Sequence, residues 1–316
     1  MAARVPADIG LVTTSTLVRL PLALLLLSCV PGGTQQPYQM SVNVDLVLLN
    51  AAVRDRKGAP VSDLREQDFA VFEDGVRQTL RLFRHEDIPV TVGLVVDHSG
   101  SMRAKLADVT AAARTFVDFS SPEDEMFVIN FNERVGMGRP PNLSFTNRPD
   151  ELAHAISDVP AAGQTALYDA IVQAQSRLKS GRHAKKVLLV ISDGGDNASV
   201  HTQPEVLTLA AQSNTLIYAI GIFDAEDADR NPEVLKRLAQ ASGGDAYFPK
   251  EYGEVVEICE RIARDIRHQY TLGYVSTNAG RPGAWRAIQV VARPDGKSKL
   301  TVRTRSGYFA AGEAPR

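Results

Sequence analysis

The spacing of apolar positions changes twice along this chain. Over residues 40–87, Val42, Val44, Leu46 and Leu48 alternate with Asn43, Asp45 and Val47, the period of a half-buried strand. Arg54–Pro60 reads as a turn from its Gly58 and Pro60. Phe69–Phe72 and Val76–Phe83 read as further strands, and Asp74-Gly75 between them is a hairpin signal. From residue 90 to about 268 the pattern differs. The runs 90–96, 187–192 and 215–222 are apolar almost throughout, as in strands buried on both faces of a largely parallel sheet, and Met126–Phe131 is a fourth such run. Between them, Leu106, Val109, Ala113, Phe116 and Val117 share one face of a helix, and Ala166–Leu178 gives another. Asn231-Pro232 opens a third, with a cap residue followed by proline. Strand-like runs return at Tyr270–Val275, Trp285–Ala292 and Leu300–Tyr308, with a turn at Arg293–Lys297.

Alternating strands and helices predict an α/β fold, a Rossmann-like, mostly parallel central sheet with helices on both faces. The flanking β segments hold about three strands each, which is marginal for independent stability. Their union into one small β-sandwich, with the α/β domain inserted between its halves, resolves that difficulty. The expected boundaries are a leader and linker at 1–37, sandwich halves at 38–87 and 269–312, the α/β domain at 88–268, and a tail at 313–316.

The leader adds a compartment. Arg4 and Arg19 precede the run Leu20–Val30, which is short for a membrane span and suits a signal-peptide core. A loop, Pro31–Pro37, follows. Export to the periplasm, the cell envelope or the medium is expected. Leu26-Leu27-Ser28-Cys29 also resembles a bacterial lipobox, so lipidation at Cys29 and plain cleavage downstream both stay open, with an uncleaved anchor as the third alternative. Removal or lipidation of the leader leaves Cys259 with no internal disulfide partner. Cys259 shares a helical stripe with Val255, Ile258, Ile262 and Ile266 and reads as a core thiol. The net charge of −2, with basic residues scattered, points to no nucleic-acid partner and no anionic-membrane partner.

The candidate chemistry is a set of hard oxygen ligands. Asp97 ends one buried run and opens Asp97-His98-Ser99-Gly100-Ser101; Asp193 ends another; Thr165 lies between them in sequence. Such residues suit a Mg²⁺-type ion, with Mn²⁺ and Ca²⁺ as alternatives. In open α/β sheets, ligands bind outside the carboxyl ends of strands, where both aspartates fall. Two carboxylates balance a divalent cation, and neutral hydroxyls leave it able to take one more anionic oxygen. A partner protein's acidic side chain would supply that oxygen. Gly100, Gly163 and Gly194 allow close approach of the loops.

Asp97-x-Ser99-x-Ser101, Thr165 and Asp193 resemble the metal-ion-dependent adhesion site (MIDAS) of von Willebrand factor type A domains, in residue type, order and strand context. The resemblance covers roughly residues 88–268. It implies that Ser99, Ser101 and Thr165 lie closest to the ion, with Asp97 and Asp193 bound directly or through water. The whole chain is similar to exported bacterial "VWFA-related domain" proteins, which carry a β segment like Val53–Phe69 before that domain. An exported, metal-dependent protein-binding or adhesion module is the implied function. The competing reading is an envelope-assembly subunit that uses the domain as a scaffold.

Neighbouring residues have plainer readings. His98 is expected to point away from the ion; Asp169 reads as a polar residue near a helix N-terminus or as an acceptor supporting the ligands, and Asp196 and Asn197 as an exposed loop or a border of the site. Asp224, Glu226, Asp227 and Asp229 lack the EF-hand spacing. Ser99 has no neighbouring general base and no Gly-x-Ser-x-Gly elbow, and no phosphate-binding glycine loop occurs, so the chain does not read as an enzyme.

Overall fold

The computed structural model describes residues 46–310, apart from 86, 139–144, 224–229, 252, 279–282 and 295–299. The leader with Cys29, the acidic cluster Asp224–Asp229 and the tail 313–316 lie outside the described residues. The described residues all fall within one compact unit. No helix among the described residues is long and apolar enough to cross a membrane.

A six-stranded sheet forms the middle of the molecule. Its strands are β5 (Val90–Asp97), β6 (Glu125–Phe131), β7 (Val135–Met137), β8 (Lys185–Ser192), β9 (Thr215–Gly221) and β10 (Ala246–Tyr247), in the order β10-β9-β8-β5-β6-β7. All pairings are parallel except that of β7, an antiparallel edge on β6. Every residue of β5, β6 and β9 is buried, as their continuous apolar runs require. Helices α1 (Leu106–Asp118), α2 (Pro149–Ser157) and α6 (Gly253–Arg267) cover one face, packing on Val92, Leu94 and Val96. Helices α3 (Leu167–Leu178), α4 (Gln203–Gln212) and α5 (Pro232–Ser242) cover the other, packing on Val95, Leu188 and Val190. Asn231 caps α5, accepting from the Val234 amide at 3.2 Å. Cys259 is fully buried in the α6 face of the core, and burial pushes its thiol up to about 12.

The flanking segments do unite into a sandwich. One sheet has the order β13-β1-β11-β4 and the other β14-β12-β2-β3. Its strands are β1 (Leu46–Arg54), β2 (Phe69–Glu73), β3 (Val76–Gln78), β4 (Leu80–Arg84), β11 (Gln269–Val275), β12 (Trp285–Ala292), β13 (Thr301–Arg303) and β14 (Gly307–Phe309). Leu49, Val71, Tyr270, Leu272 and Val290 form its core, drawn from both halves. The α/β layer leaves the sandwich after β4 and returns to it at β11, and these two strands are antiparallel neighbours. The insertion therefore starts and ends on adjacent strands. Asp74 and Gly75, at φ 48° and 80°, make the tight β2–β3 turn that their dipeptide predicts.

Two expected strands are each divided. Val76–Phe83 breaks at Thr79, and Leu300–Tyr308 breaks at Thr304–Ser306, so that each run contributes to both sheets. Side chains hold these corners. Gln78 is buried and bonds Thr277 at 3.0 Å, while buried Arg305 donates to the Leu48 carbonyl at 2.8 Å. Strands that switch sheets at such bends are a normal way to turn a sandwich corner.

Ion pairs join the sandwich to α6. Buried Asp265 of α6 accepts from Arg54 of β1 at 3.0 Å and from Arg303 of β13. Nearby, buried Lys185 donates to the Ile266 carbonyl. Burial pushes its ammonium down to about 8 from 10.5; Arg267 adds repulsion, and Asp265, Asp87 and Asp124 oppose the shift. Below the folded value both states carry the proton and the folded state bears the full desolvation cost. Between about 8 and 10.5 the unfolded chain binds more protons, so stability rises with pH there. Denaturant titrations across this window should show wild type gaining up to about 3 kcal/mol relative to Lys185→Met. A pH-independent difference would contradict the burial account.

Candidate metal centre

β5 connects by α1 to β6 on one side of the sheet, while β8 lies on the other side of β5. The crevice beyond the carboxyl ends of β5 and β8 is thus a topological switch point. Asp97 is the last residue of β5, and Asp193 follows the last residue of β8. Both are buried, as are Ser99 and Thr165.

The hydroxyl residues form a connected line of oxygens. Ser99 Oγ lies 3.1 Å from Ser101 Oγ, and Ser101 Oγ donates to Asp193 Oδ2 at 2.6 Å. Adjacent ligands around a cation with bonds of 2.0–2.1 Å sit about 2.9 Å apart, so this spacing fits a Mg²⁺-sized ion. Asp97 is held behind the line. Its Oδ1 accepts from the Ser99 amide at 2.8 Å and its Oδ2 from Ser192 Oγ at 2.6 Å. Burial, with the neighbouring charge of Asp193, pushes the Asp97 carboxyl up to about 6 against the pull of those hydrogen bonds. The charges of Asp97 and Asp193 repel each other, and a cation bound between them would relieve that repulsion.

Thr165 is brought in by its backbone. Gly100 donates to the Gly163 carbonyl at 3.1 Å, and Ala162 donates to the His98 carbonyl at 2.9 Å. The Thr165 amide donates to Asn197 Oδ1 at 2.9 Å, and its carbonyl accepts from Asn197 and Ala198 at 2.9 and 3.0 Å. The Thr165 hydroxyl has no hydrogen-bond partner among the described residues. Among those residues no group of three or more His, Cys, Asp or Glu side chains gathers to hold a metal, so a cation here depends on the hydroxyls.

Residues 92–195 match the family model for the von Willebrand factor type A domain. The chain carries a von Willebrand factor type A domain. A von Willebrand factor type A protein from Catenulispora acidiphila shares the fold at a TM-score of 0.50 and 14% identity, over 85% of this chain and 74% of its own. An aerotolerance-related membrane protein from Bacteroides fragilis aligns at a TM-score of 0.45 and 15% identity, over 56% of this chain and 98% of its own. Proximal thread matrix protein 1 from the mussel byssus, in a structure with a zinc-occupied MIDAS motif, aligns at 0.49 and 16% identity, over 61% and 49%. No curated protein matches the sequence.

Within this A domain, His98 turns inward. Nδ1 donates to the Val159 carbonyl at 2.9 Å, and Nε2 lies 3.0 Å from Asn130 Oδ1. Burial holds the ring below its ordinary pKa, outweighing those two contacts. Neither nitrogen is free for an ion or for a proton on Ser99.

For Asp169, Asp196 and Asn197 the structure favours the supporting reading over the solvent-exposed one. Ala166, the residue before α3, supplies no side-chain cap. The loop after β8 supplies it instead: Asp196 Oδ2 accepts from the Tyr168 amide at 2.9 Å, and Ser199 Oγ from the Asp169 amide at 3.1 Å. Asp169 reciprocates, accepting from the Val200 and His201 amides at 3.0 Å each. The Thr165 loop and the Asp193 loop are therefore sewn together. The sequence pattern does not single out Ser192, although it adjoins Asp193. Ser192 anchors Asp97 and also accepts from the Gly194 amide at 3.0 Å.

Gly194 has φ 82°, and a Cβ there would strike the Asn231 carbonyl. Gly194→Ala should displace the loop carrying Asp193 and weaken divalent-cation binding on the order of tenfold, read by calorimetric titration. Unchanged affinity would show that the loop position is not set by this close approach.

Proposed function

We propose that the protein is an exported binding module whose A domain holds a Mg²⁺-type ion and captures an acidic side chain of a partner protein. The observation that carries this reading is the oxygen line Ser99–Ser101–Asp193 at the switch point, backed by buried Asp97. Ser99, Ser101, Thr165 and Asp193 would hold the ion. Asp97 supplies the second balancing charge, fixed by Ser99 and Ser192. A bound divalent cation supplies one exchangeable coordination position that favours an anionic oxygen. Asn197, Asp196 and Asp169 hold the Thr165 and Asp193 loops in register, so that the donor set is preorganised.

The same geometry supports binding over catalysis. Ser99 is engaged with Ser101, and the adjacent imidazole faces the protein interior. His98, the imidazole beside Ser99 in sequence, is therefore not placed to act as its general base. Export rests on the leader's charge and apolar pattern.

The test is capture from cell-envelope extract by immobilised full-length protein. Capture should be released by chelator, restored by Mg²⁺, and lost in Thr165→Ala. Capture that survives chelation and substitution alike would favour the scaffold reading.

A further inference from the structure

A second cleft, lined by charged side chains, lies at the junction of the sandwich and α6, remote from the metal centre. Lys185, which reaches Ile266 near the end of α6, is the first residue of β8, whereas Asp193 follows the last. Eight residues at about 3.3 Å each place about 26 Å between these ends of the sheet. The cleft is lined by Arg54, Lys57, Gly58, Pro60, Arg261, Arg264 and Asp265, and has a volume of about 350 Å³. That is the size of a small-ligand site.

Its charge is one-sided. Four of the seven lining residues are basic and one is acidic. The acid, Asp265, is already shared between Arg54 and Arg303. Arg264 pairs at 3.0 Å with Glu260 in an exposed i,i+4 contact, which leaves most of its field intact. The Lys57 ammonium and the Arg261 guanidinium have no carboxylate within ion-pair distance among the described residues. Asp55, the nearest acid in sequence, spends Oδ1 on the Lys57 and Ala59 amides at 2.8 and 2.9 Å.

The walls are built rather than loose. Those two hydrogen bonds fix the turn that carries Lys57, and Asp265 fixes the Arg54 head. Arg261 lies 6.0 Å over the Tyr247 ring, whose hydroxyl is buried without a hydrogen-bond partner.

We propose that this cleft binds a phosphate-bearing ligand, with Lys57 and Arg261 meeting the phosphate and Arg264 at its edge. A phosphomonoester carries about −1.5 to −2 charges and three acceptor oxygens, which matches two uncompensated cations. The guanidinium fork also suits tetrahedral oxyanions. A ligand there would bridge the β1 turn and α6, so it would staple the sandwich to the A domain.

The test titrates full-length protein with inorganic phosphate by calorimetry, in chelator and at constant ionic strength, so that the metal centre takes no part. Saturable binding is expected. The double variant Lys57→Ala/Arg261→Ala should weaken it about tenfold or more without lowering the melting temperature. Asp193→Ala should bind phosphate as wild type does, which separates this proposal from the metal-dependent function. A parallel arm uses phosphatidate vesicles against phosphatidylcholine vesicles. Binding confined to phosphatidate vesicles and lost in the double variant would assign the phosphate to a lipid headgroup. No saturable binding in either arm, or equal binding by the double variant, would overturn the proposal.

Discussion

Asp193→Ala is expected to abolish the stabilisation that Mg²⁺ or Mn²⁺ gives the wild-type protein, with affinity reduced on the order of 100-fold or more. Asp193 supplies one of two carboxylate charges and the terminal oxygen of the Ser99–Ser101–Asp193 line. Without it, a cation faces neutral hydroxyls and the single charge of Asp97. The fold itself should survive. The lost side chain accepts one hydrogen bond from Ser101 and one from the Gly195 amide at 2.9 Å, costing about 1–2 kcal/mol together. The Asp193 carbonyl still accepts from the Asn231 amide at 3.0 Å, so the loop keeps its backbone anchor. Melting curves with and without Mg²⁺ separate the two effects. The variant should melt a few degrees lower in chelator and show no upward shift with the ion. A wild-type-sized shift in the variant would mean that the ion binds elsewhere.

The largest stability loss is expected in the sandwich, from Glu73→Ala. Glu73 is 1% exposed and lies on β2 against β12. Its carboxylate accepts from Tyr274 Oη at 2.7 Å, Ser276 Oγ at 2.6 Å, Tyr308 Oη at 3.0 Å and Arg286 at 3.2 Å. These partners come from β11, the loop after it, β12 and β14, so one side chain of the first half organises the second. Its removal takes a carboxylate away from the buried Arg286 guanidinium and an acceptor from two phenols. Breaking a buried pair from one side typically costs about 3–5 kcal/mol. Urea denaturation should place the Glu73→Ala midpoint far below wild type, with Glu73→Gln intermediate because an amide oxygen can still accept. A loss under about 1 kcal/mol would show that water replaces the carboxylate freely.

The parallel strands were legible because burial on both faces leaves an unbroken apolar run, as in Val90–Val96 and Val187–Ile191. The five candidate residues stand out in the sequence because two aspartates end such runs. α4 was not anticipated, though Thr202 and Glu205 form a capping box with Glu205 accepting from the Thr202 amide at 2.8 Å. α2 likewise begins at Pro149 after Arg148, with Asp150 and Glu151 in its first turn. The split of Val76–Phe83 was illegible for a different reason. Its apolar alternation continues across Thr79, and only the tertiary bond from Gln78 to Thr277 marks the corner. The supporting contacts of the site were hidden in the same way. Asn197 to Thr165 and Ser192 to Asp97 join residues 32 and 95 positions apart, and single-sequence spacing carries no record of such pairs. The junction at Asp265 depends on partners from β1 and β13 that adjoin only once the sandwich has closed around its insertion.

The central claim is that the crevice at the ends of β5 and β8 is a divalent-cation site built from two carboxylates and three hydroxyls. Isothermal titration of metal-free, full-length protein with Mn²⁺ tests it most directly. One saturable equivalent, competed by Mg²⁺ and absent in Asp193→Ala, is the predicted result. No binding by folded wild-type protein, or equal binding by the variant, would contradict the account.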